Sequence, residues 1–414
     1  MLPNGRAPSA RPFRTPGRSL SASGVGIGAR DEPAALAGAS HFLEHLLFKG
    51  TPSRSARAIA EEVDAVGGEM NAFTAKEHTA YYTPAARPRT SRFGLELLVD
   101  VLSDPAFRPG EVDAERQVIL EEILLSYDMP DDRVHTVLFE ALYPHHPLGR
   151  EVLGDASTVE DLRPDQIADF FQRWYTPRNL VVAVAGNVTH DRVVRGVERY
   201  LADVDPGAPA ARQTPDAPTE PLRVERRETE QAHVALGWHA LDYDDPDRYA
   251  LAVANHALGG GLSSRLFQEV REERGLAYTV YSAPTAFTDS GALTVYVGTG
   301  PSRVDESVRV INGVIEELLD TGITAQELDV ARGYLEGSLV LGLEDSGSRM
   351  GRLGASETIR GEVITVDEHV ERIRAVTGED VARVLDRVLA GDRVVAAVGP
   401  VDEDSPALRV APSG

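Results

Sequence analysis

The sequence predicts an α+β protein made of two homologous domains, each an antiparallel or mixed sheet covered by helices. The chain has 414 residues, more than a typical single domain needs. A proline- and alanine-rich segment, 205–221, divides it almost in half and is typical of a solvated linker. The order of strand-like and helix-like segments then repeats, which indicates an internal duplication. We therefore expect an N-terminal domain over 1–204, a linker, and a C-terminal domain over 222–414.

The predicted strands are short segments rich in β-branched and aromatic residues. A β-branched run that ends in glycine closes each half and predicts a buried strand there. Helix-like segments follow the strands in clusters rather than one for one, which favours antiparallel or mixed sheets. The predicted strands are 21–29, 69–75, 79–85 and 178–188 in the first half, and 233–240, 276–283, 292–299 and 392–401 in the second.

The sequence does not favour a strand before 21–29 in the N-terminal domain. Residues 5–18 contain three prolines and show no alternation of apolar and polar residues. Proline cannot donate a backbone hydrogen bond to a sheet, so a strand in this segment is doubtful.

Composition excludes several classes of function. The chain has 65 acidic and 42 basic side chains, and its net charge of -23 repels nucleic acid phosphates. No apolar run of eighteen residues is present and the first twenty residues lack a secretory core, so we expect no membrane partner and a cytoplasmic location. Because the chain has no cysteine, any metal must be held by His, Asp or Glu.

A candidate metal site lies in an apolar, helix-like run over 34–48. His41 and His45 are one helical turn apart, so both imidazoles can reach one ion. Glu44 lies beside that face, where a general base would stand. Two core histidines would show the same spacing, so the pair alone leaves both interpretations open.

A third metal ligand would have to come from elsewhere, and the predicted helix 111–128 offers one. Catalytic zinc sites usually have three protein ligands. Glu115 and Glu122 are seven residues apart and project from nearly the same stripe, so one could bind the metal while the other supports a ligand imidazole. Glu121 is a rival, although an exposed position is the commoner fate of any one of these glutamates.

The motif H-x-x-E-H is the inverted form of a zinc-peptidase motif. With a glutamate downstream, "HFLEHLLFKGT" resembles the pitrilysin or insulinase family of metallopeptidases, in particular the bacterial relatives of the mitochondrial processing peptidase. The resemblance extends to "GGEMNAFTAKEHTAYY", "HPLGREVLG", "YTPRNLVVAVAGNV" and "GGGLSSRLFQEVREERGLAYTVYS". It implies a zinc metalloendopeptidase acting on short or unfolded peptides. It further implies one Zn²⁺ per chain, with these roles: His41, His45 and Glu122 as ligands, Glu44 as activator of the zinc-bound water, and Glu115 as a supporting acid.

The second half lacks the histidine motif. By the register of the repeat, Arg248, Leu251 and Ala252 occupy its positions, so we expect no metal there. The resemblance implies that Arg271 and Tyr278 contact the substrate and the oxyanion side of the site. From their spacing alone, a surface arginine and a half-buried tyrosine are the favoured explanation of the pair.

The resemblance also bears on substrate and assembly. It implies that an extended peptide adds to the edge strand carrying Asn71, Ala72 and Phe73, although Phe73 could equally be a core residue. Chains of this length pair in the family, so we expect a homodimer, or a heterodimer with a related subunit. The alternative function is a catalytically silent peptide-binding or scaffold subunit of the same family. Such subunits usually lose part of the motif, which is complete here.

Overall fold

The computed structural model describes residues 9–10, 19–85, 90–201, 204–216 and 219–409. It divides into two compact units, and each unit includes one segment from the opposite half of the chain. The predicted continuous boundaries therefore do not coincide with the units, although one change of unit falls inside the predicted linker. Unit 1 comprises Met1–Leu124, Arg150–Gln213 and Val340–Val363, and unit 2 comprises Leu125–Gly149, Thr214–Leu339 and Ile364–Gly414.

Each of the eight predicted strands overlaps a strand of the structure, and the segment 79–85 has the predicted bounds, whereas the strand over 222–226 was not predicted. The strands are β1 (Ser9–Ala10), β2 (Ser19–Val25), β3 (Asn71–Thr74), β4 (Thr79–Ala85), β5 (Leu180–Gly186), β6 (Leu222–Arg226), β7 (Ala232–His239), β8 (Ala277–Ala286), β9 (Gly291–Thr299) and β10 (Val394–Gly399). Of the doubtful segment 5–18, only β1 is described, and it pairs in parallel with β5. The remainder of that segment lies outside the described residues.

Most of the helices lie between β4 and β5 in the first half of the chain and between β9 and β10 in the second. They are α1 (Ala39–Leu47), α2 (Ala56–Ala65), α3 (Thr90–Ser103), α4 (Pro109–Asp128), α5 (Pro130–Leu142), α6 (Ala156–Asp161), α7 (Pro164–Trp174), α8 (His190–Leu201), α9 (Arg248–Asn255), α10 (Val304–Thr321), α11 (Ala325–Gly342), α12 (Ser346–Arg360), α13 (Val366–Ala375) and α14 (Gly378–Leu389). No helix in the described ranges is long and apolar enough to cross a membrane.

The two units contain sheets of the same topology. The strand order is β1-β5-β2-β4-β3 in unit 1 and β6-β10-β7-β9-β8 in unit 2. β6 therefore takes the place of β1, β7 that of β2, and so on through β10 and β5. In both sheets the first strand pairs in parallel with the last, and the other pairs are antiparallel. These matched mixed sheets confirm the predicted α+β class and the internal duplication.

Two helices account for the segments that the units take from the opposite half of the chain. In unit 1, α12 packs Met350 and Leu353 on the small side chains Ala183 and Ala185 of β5. In unit 2, α5 packs on β7, β9 and β10 through one apolar face. The buried residues of that face recur at helical spacing and are Val134, Val137, Leu138, Ala141 and Leu142.

The helix that carries the histidine motif begins later than predicted. Instead of one helix over 34–48, a short 3-10 turn over Ala34–Leu36 precedes α1. Gly38 separates them with a φ of 95°, in the left-handed region that favours glycine. A Cβ atom at Gly38 would lie 2.7 Å from the carbonyl oxygen of Leu153, so the close approach also requires glycine. The prediction of an early helix start was therefore wrong.

A buried carboxylate fixes the true start of α1. The backbone N–H groups of Gly38 and Ser40 donate to the two oxygens of Glu32 at 2.8 and 2.6 Å. These donors belong to the first turn, where backbone N–H groups have no partner within the helix. Glu32 thus accepts hydrogen bonds from the otherwise unpaired N–H groups at the start of the helix that carries the histidine motif.

Candidate metal centre

His41 and His45 face each other across one turn of α1. Their Nε2 atoms are 3.3 Å apart, and both side chains are largely buried. The apolar side of α1 orients the pair, because Phe42, Leu43 and Leu46 are anchored in the main core of unit 1. The position of both imidazoles thus follows from the amphipathic pattern of the helix.

Glu122 of α4 supplies the third converging side chain. Its Oε2 lies 3.6 Å from Nε2 of His41 and 3.5 Å from Nε2 of His45. Helix α4 buries Val112, Glu115 and Ile119, which fixes the stripe that Glu122 shares. The rival Glu121 is exposed and does not belong to this group.

The three donor atoms suit a small divalent cation. A tetrahedral zinc ion with bonds of about 2.0–2.1 Å holds its ligand atoms about 3.3–3.4 Å apart. The observed separations of 3.3, 3.5 and 3.6 Å are close to that spacing. In the described part of the chain no other group of three His, Asp or Glu side chains converges in this way. This set of side chains could therefore hold one metal ion in unit 1.

Glu115 holds the outer nitrogen of His45. Nδ1 of His45 donates to Oε1 of Glu115 at 2.9 Å, and the second oxygen of Glu115 forms an ion pair with Lys49. A proton on Nδ1 leaves the lone pair of Nε2 directed at the other two donors. Burial works to lower the pKa of His45, but hydrogen bonds to Glu122 and Glu115 outweigh it and raise that pKa.

His41 has a different environment. Its Nδ1 is buried and makes no hydrogen bond with the described residues. Burial, and then the neighbouring His45, lower the pKa of His41 to about 4, against the opposing charges of Glu122 and Glu151. His41 is therefore neutral at physiological pH, the form in which imidazole binds a metal.

Glu44 lies next to the converging donors but is not one of them. Its Oε2 accepts a hydrogen bond of 2.6 Å from Oγ1 of Thr74. Burial raises the pKa of Glu44, and the bond from Thr74 partly offsets that rise. The arrangement provides a carboxylate beside the candidate metal position, held by a residue of β3.

Sequence reasoning missed both Thr74 and Lys49. Thr74 directly follows Asn71, Ala72 and Phe73, the residues expected to contact substrate. Its hydrogen-bond partner Glu44 comes near only when β3 packs beside α1. Lys49 lies just beyond the end of α1, and its ammonium group pairs with Glu115. A hydroxyl or an ammonium group on a short element has no periodicity that points to its partner.

Asn71, Ala72 and Phe73 lie on β3, which is the end strand of its sheet. Ala72 is buried in the core, whereas Asn71 is exposed. Phe73 is 47% exposed, and its ring stands edge-on to His78 with 5.6 Å between ring centroids. The alternative that Phe73 is a core residue therefore does not hold.

Arg271 and Tyr278 contact each other in unit 2. The guanidinium carbon of Arg271 lies 4.7 Å from the ring centroid of Tyr278 and 4.7 Å from that of Phe267. Tyr278 is 76% exposed rather than half-buried. The pairing of β8 with β9 shifts register at Tyr278, and such a bulge redirects a side chain.

The duplicated α+β fold, with a histidine–histidine–glutamate centre in one unit, matches two family models. The family model described as insulinase, peptidase family M16, matches residues 15–156. A second model, described as the peptidase M16 inactive domain, matches residues 161–335. The two matches fall in succession along the chain.

Similar chains come from several bacteria. An uncharacterized zinc protease of Streptomyces coelicolor is 45% identical over 390 residues, covering 91% of this chain and 84% of that protein. An uncharacterized zinc protease of Bacillus subtilis is 38% identical over 377 residues, covering 91% of both. This chain therefore belongs to the insulinase peptidase family M16, which confirms the family resemblance of the sequence.

Solved structures support the fold. The crystal structure of a peptidase M16 inactive domain from Pseudomonas fluorescens has a TM-score of 0.88 at 23% identity, covering 94% of each chain. A protease from Helicobacter pylori has a TM-score of 0.87 at 23% identity, covering 94% of this chain and 95% of that one. At these identities the likeness concerns the fold alone.

Proposed function

We propose that the protein is a zinc-dependent endopeptidase that hydrolyses short or unfolded peptides. The observation that carries this proposal is the convergence of three donor atoms, from His41, His45 and Glu122, beside the separately held carboxylate of Glu44. Such a set combines metal ligands with a base that is not a ligand, as metal-assisted hydrolysis requires. The names of the bacterial relatives as zinc proteases add support.

In this proposal each side chain has one role. His41, His45 and Glu122 hold one zinc ion per chain, and Glu115 keeps His45 in the tautomer that presents Nε2. A bound zinc ion would polarise the scissile carbonyl and lower the pKa of a water molecule. Glu44 takes the proton of the attacking water and passes it to the leaving amine.

The substrate is an extended peptide that adds to the free edge of β3. Backbone hydrogen bonds along Asn71, Ala72 and Phe73 would give affinity, and side-chain contacts such as the exposed ring of Phe73 would give selectivity. Strand addition requires an extended chain, so folded proteins are poor substrates in this proposal.

Arg271 and Tyr278 would contact the substrate and stabilise charge on the oxyanion side of the reaction. The half-buried Arg271 and the exposed Tyr278 in unit 2 offer a guanidinium and a hydroxyl as donors. We place these donors at the metal centre of a partner chain in a homodimer. A single type of chain carries both signatures, so a homodimer is sufficient and a related second subunit is not required.

The second candidate function is a silent peptide-binding subunit. The observation that favours it is the description of the family model over 161–335 as an inactive domain. That description concerns residues 161–335. The donor set and Glu44 all lie before residue 161. The complete set in unit 1 therefore favours an active peptidase.

A panel of unfolded peptides separates the two candidates. We expect cleavage in the presence of zinc, loss of cleavage with a chelator, and recovery when zinc is restored, with mass spectrometry identifying the cut bonds. The silent-subunit candidate predicts peptide binding without cleavage under all three conditions. Cleavage that continues at full rate without metal would reject the zinc mechanism.

A further inference from the structure

We infer that Thr74 is a positioning residue for the base: its hydroxyl holds the Glu44 carboxylate in the orientation that proton transfer needs. The inference rests on the proposed function and adds a residue to it. Oγ1 of Thr74 donates to Oε2 of Glu44 at 2.6 Å, although the two residues are thirty positions apart. This length is in the range of a hydrogen bond from a hydroxyl to an ionised carboxylate, one of the stronger kinds in proteins.

The backbone around Thr74 makes it a fixed donor. Thr74 ends β3 and lies opposite Thr79 of β4 in the sheet register. Ala72 of the same strand shares its core with Phe42 and Leu43 of α1. The strand and the helix are thus anchored in one apolar cluster, and threonine is stiff about χ1, so the hydroxyl has little freedom.

Glu44, in contrast, is on a long side chain that needs an external restraint. A free glutamate loses rotamer entropy when it is held in one orientation, and the Thr74 bond offsets that loss. The bond occupies Oε2, which leaves Oε1 as the proton acceptor. Proton transfer depends strongly on the position of the base. A carboxylate that occupies several rotamers would therefore slow the reaction without affecting metal or substrate binding.

The position of Thr74 on β3 also links the base to the substrate. Thr74 follows Asn71, Ala72 and Phe73 on the strand where we propose that the peptide adds. One short strand thus binds the substrate and orients the base, so the carboxylate is placed relative to the scissile bond.

Two variants of Thr74 test the inference. Thr74→Val keeps the shape but removes the donor, and we expect kcat to fall about 10- to 100-fold with KM and zinc content unchanged. Thr74→Ser keeps the hydroxyl, and we expect it to restore most of the kcat. The matched control is Thr79→Val, because the Thr79 hydroxyl donates to the carbonyl of Ile27 and does not contact Glu44. That control should retain the kcat of the unmodified protein.

The outcomes separate this inference from the proposed function. If the unmodified protein shows no zinc-dependent cleavage, the proposed function fails. If it cleaves and Thr74→Val cleaves equally fast, or Thr74→Ser is as slow as Thr74→Val, the role of Thr74 is overturned while the function stands.

A crystal structure of zinc-loaded Thr74→Val gives a readout that does not depend on turnover. We expect the Glu44 carboxylate to leave its position or to occupy several rotamers. A carboxylate that stays in place without the threonine hydroxyl would overturn the inference, whatever the activity.

Discussion

The two histidines of the candidate centre differ in how their outer nitrogens are held. Nδ1 of His45 is bound to Glu115, which in turn is held by Lys49, whereas Nδ1 of His41 makes no hydrogen bond with the described residues. An oriented imidazole binds a metal more tightly, because its tautomer and ring plane need not be selected on binding. Glu115 is therefore the residue outside the donor set whose loss should be most evident in metal affinity.

Replacement of Glu115 by glutamine tests that role. The amide loses the charge that favours a proton on Nδ1 of His45, so we expect zinc to bind about 10- to 100-fold more weakly. A competition titration with a chelating dye measures the change. The matched control is Glu121→Gln on the same helix, because Glu121 is exposed and outside the donor set. Equal zinc affinity in the unmodified protein and Glu115→Gln would contradict the assigned role.

At the scale of elements, α1 shows what the sequence could and could not predict. The apolar run predicted a helix, and the spacing of His41 and His45 predicted a shared face with Glu44 beside it, because these features depend on local periodicity. The start of the helix depends on Glu32, whose carboxylate accepts from backbone groups six and eight residues further along, and on Gly38, which lies against Leu153 in a tertiary contact. Neither role shows in the helical periodicity. The same limit explains why the segments exchanged between the units, which contain α5 and α12, were not predicted.

The buried cap of α1 predicts a pH dependence of stability. Burial raises the pKa of Glu32 from its ordinary value of 4.5 to about 7, against the backbone N–H groups of Ser40 and Gly38 that lower it. The folded state thus binds more protons than the unfolded state between these values. The contribution of Glu32 to stability is full below the lower value and is lost as the pH rises through the higher one.

The variant Glu32→Gln measures this contribution, because the amide does not titrate. We expect the Tm of the unmodified protein, relative to that of Glu32→Gln, to fall as the pH rises from about 5 to about 8. Glu61→Gln serves as the control, since Glu61 is exposed in a surface pair with Arg57. A Tm difference that is constant with pH, or that grows as the pH rises, would show that the buried carboxylate does not titrate as argued.

Over the whole molecule, the two units share one sheet topology but carry different groups of side chains. Unit 1 has the converging donors, and unit 2 has Arg271 in contact with the exposed Tyr278, which lies at the bulge of β8. The sequence has the histidine motif in its first half, and the converging donors lie in unit 1. It did not predict the exposure of Tyr278, which depends on the bulge in the pairing of β8 with β9.

A complementation experiment tests the proposed homodimer. If the Arg271–Tyr278 pair serves the metal centre of the partner, a mixed dimer of Glu44→Gln and Arg271→Ala chains has one complete site. Random mixing of two inactive variants should then restore about a quarter of the activity, since half of the dimers are mixed and one site in each is complete. No recovery in dimers confirmed as mixed by light scattering and mass spectrometry would contradict an arrangement between chains.

The most direct test of the central claim is a joint measurement of zinc content and peptide cleavage for Glu44→Gln. The substitution keeps the shape of the side chain and leaves His41, His45 and Glu122 intact. We predict about one zinc ion per chain, as in the unmodified protein, together with a loss of kcat of at least about 100-fold, because the base contributes on that scale. Cleavage at the unmodified rate by zinc-loaded Glu44→Gln would contradict the account.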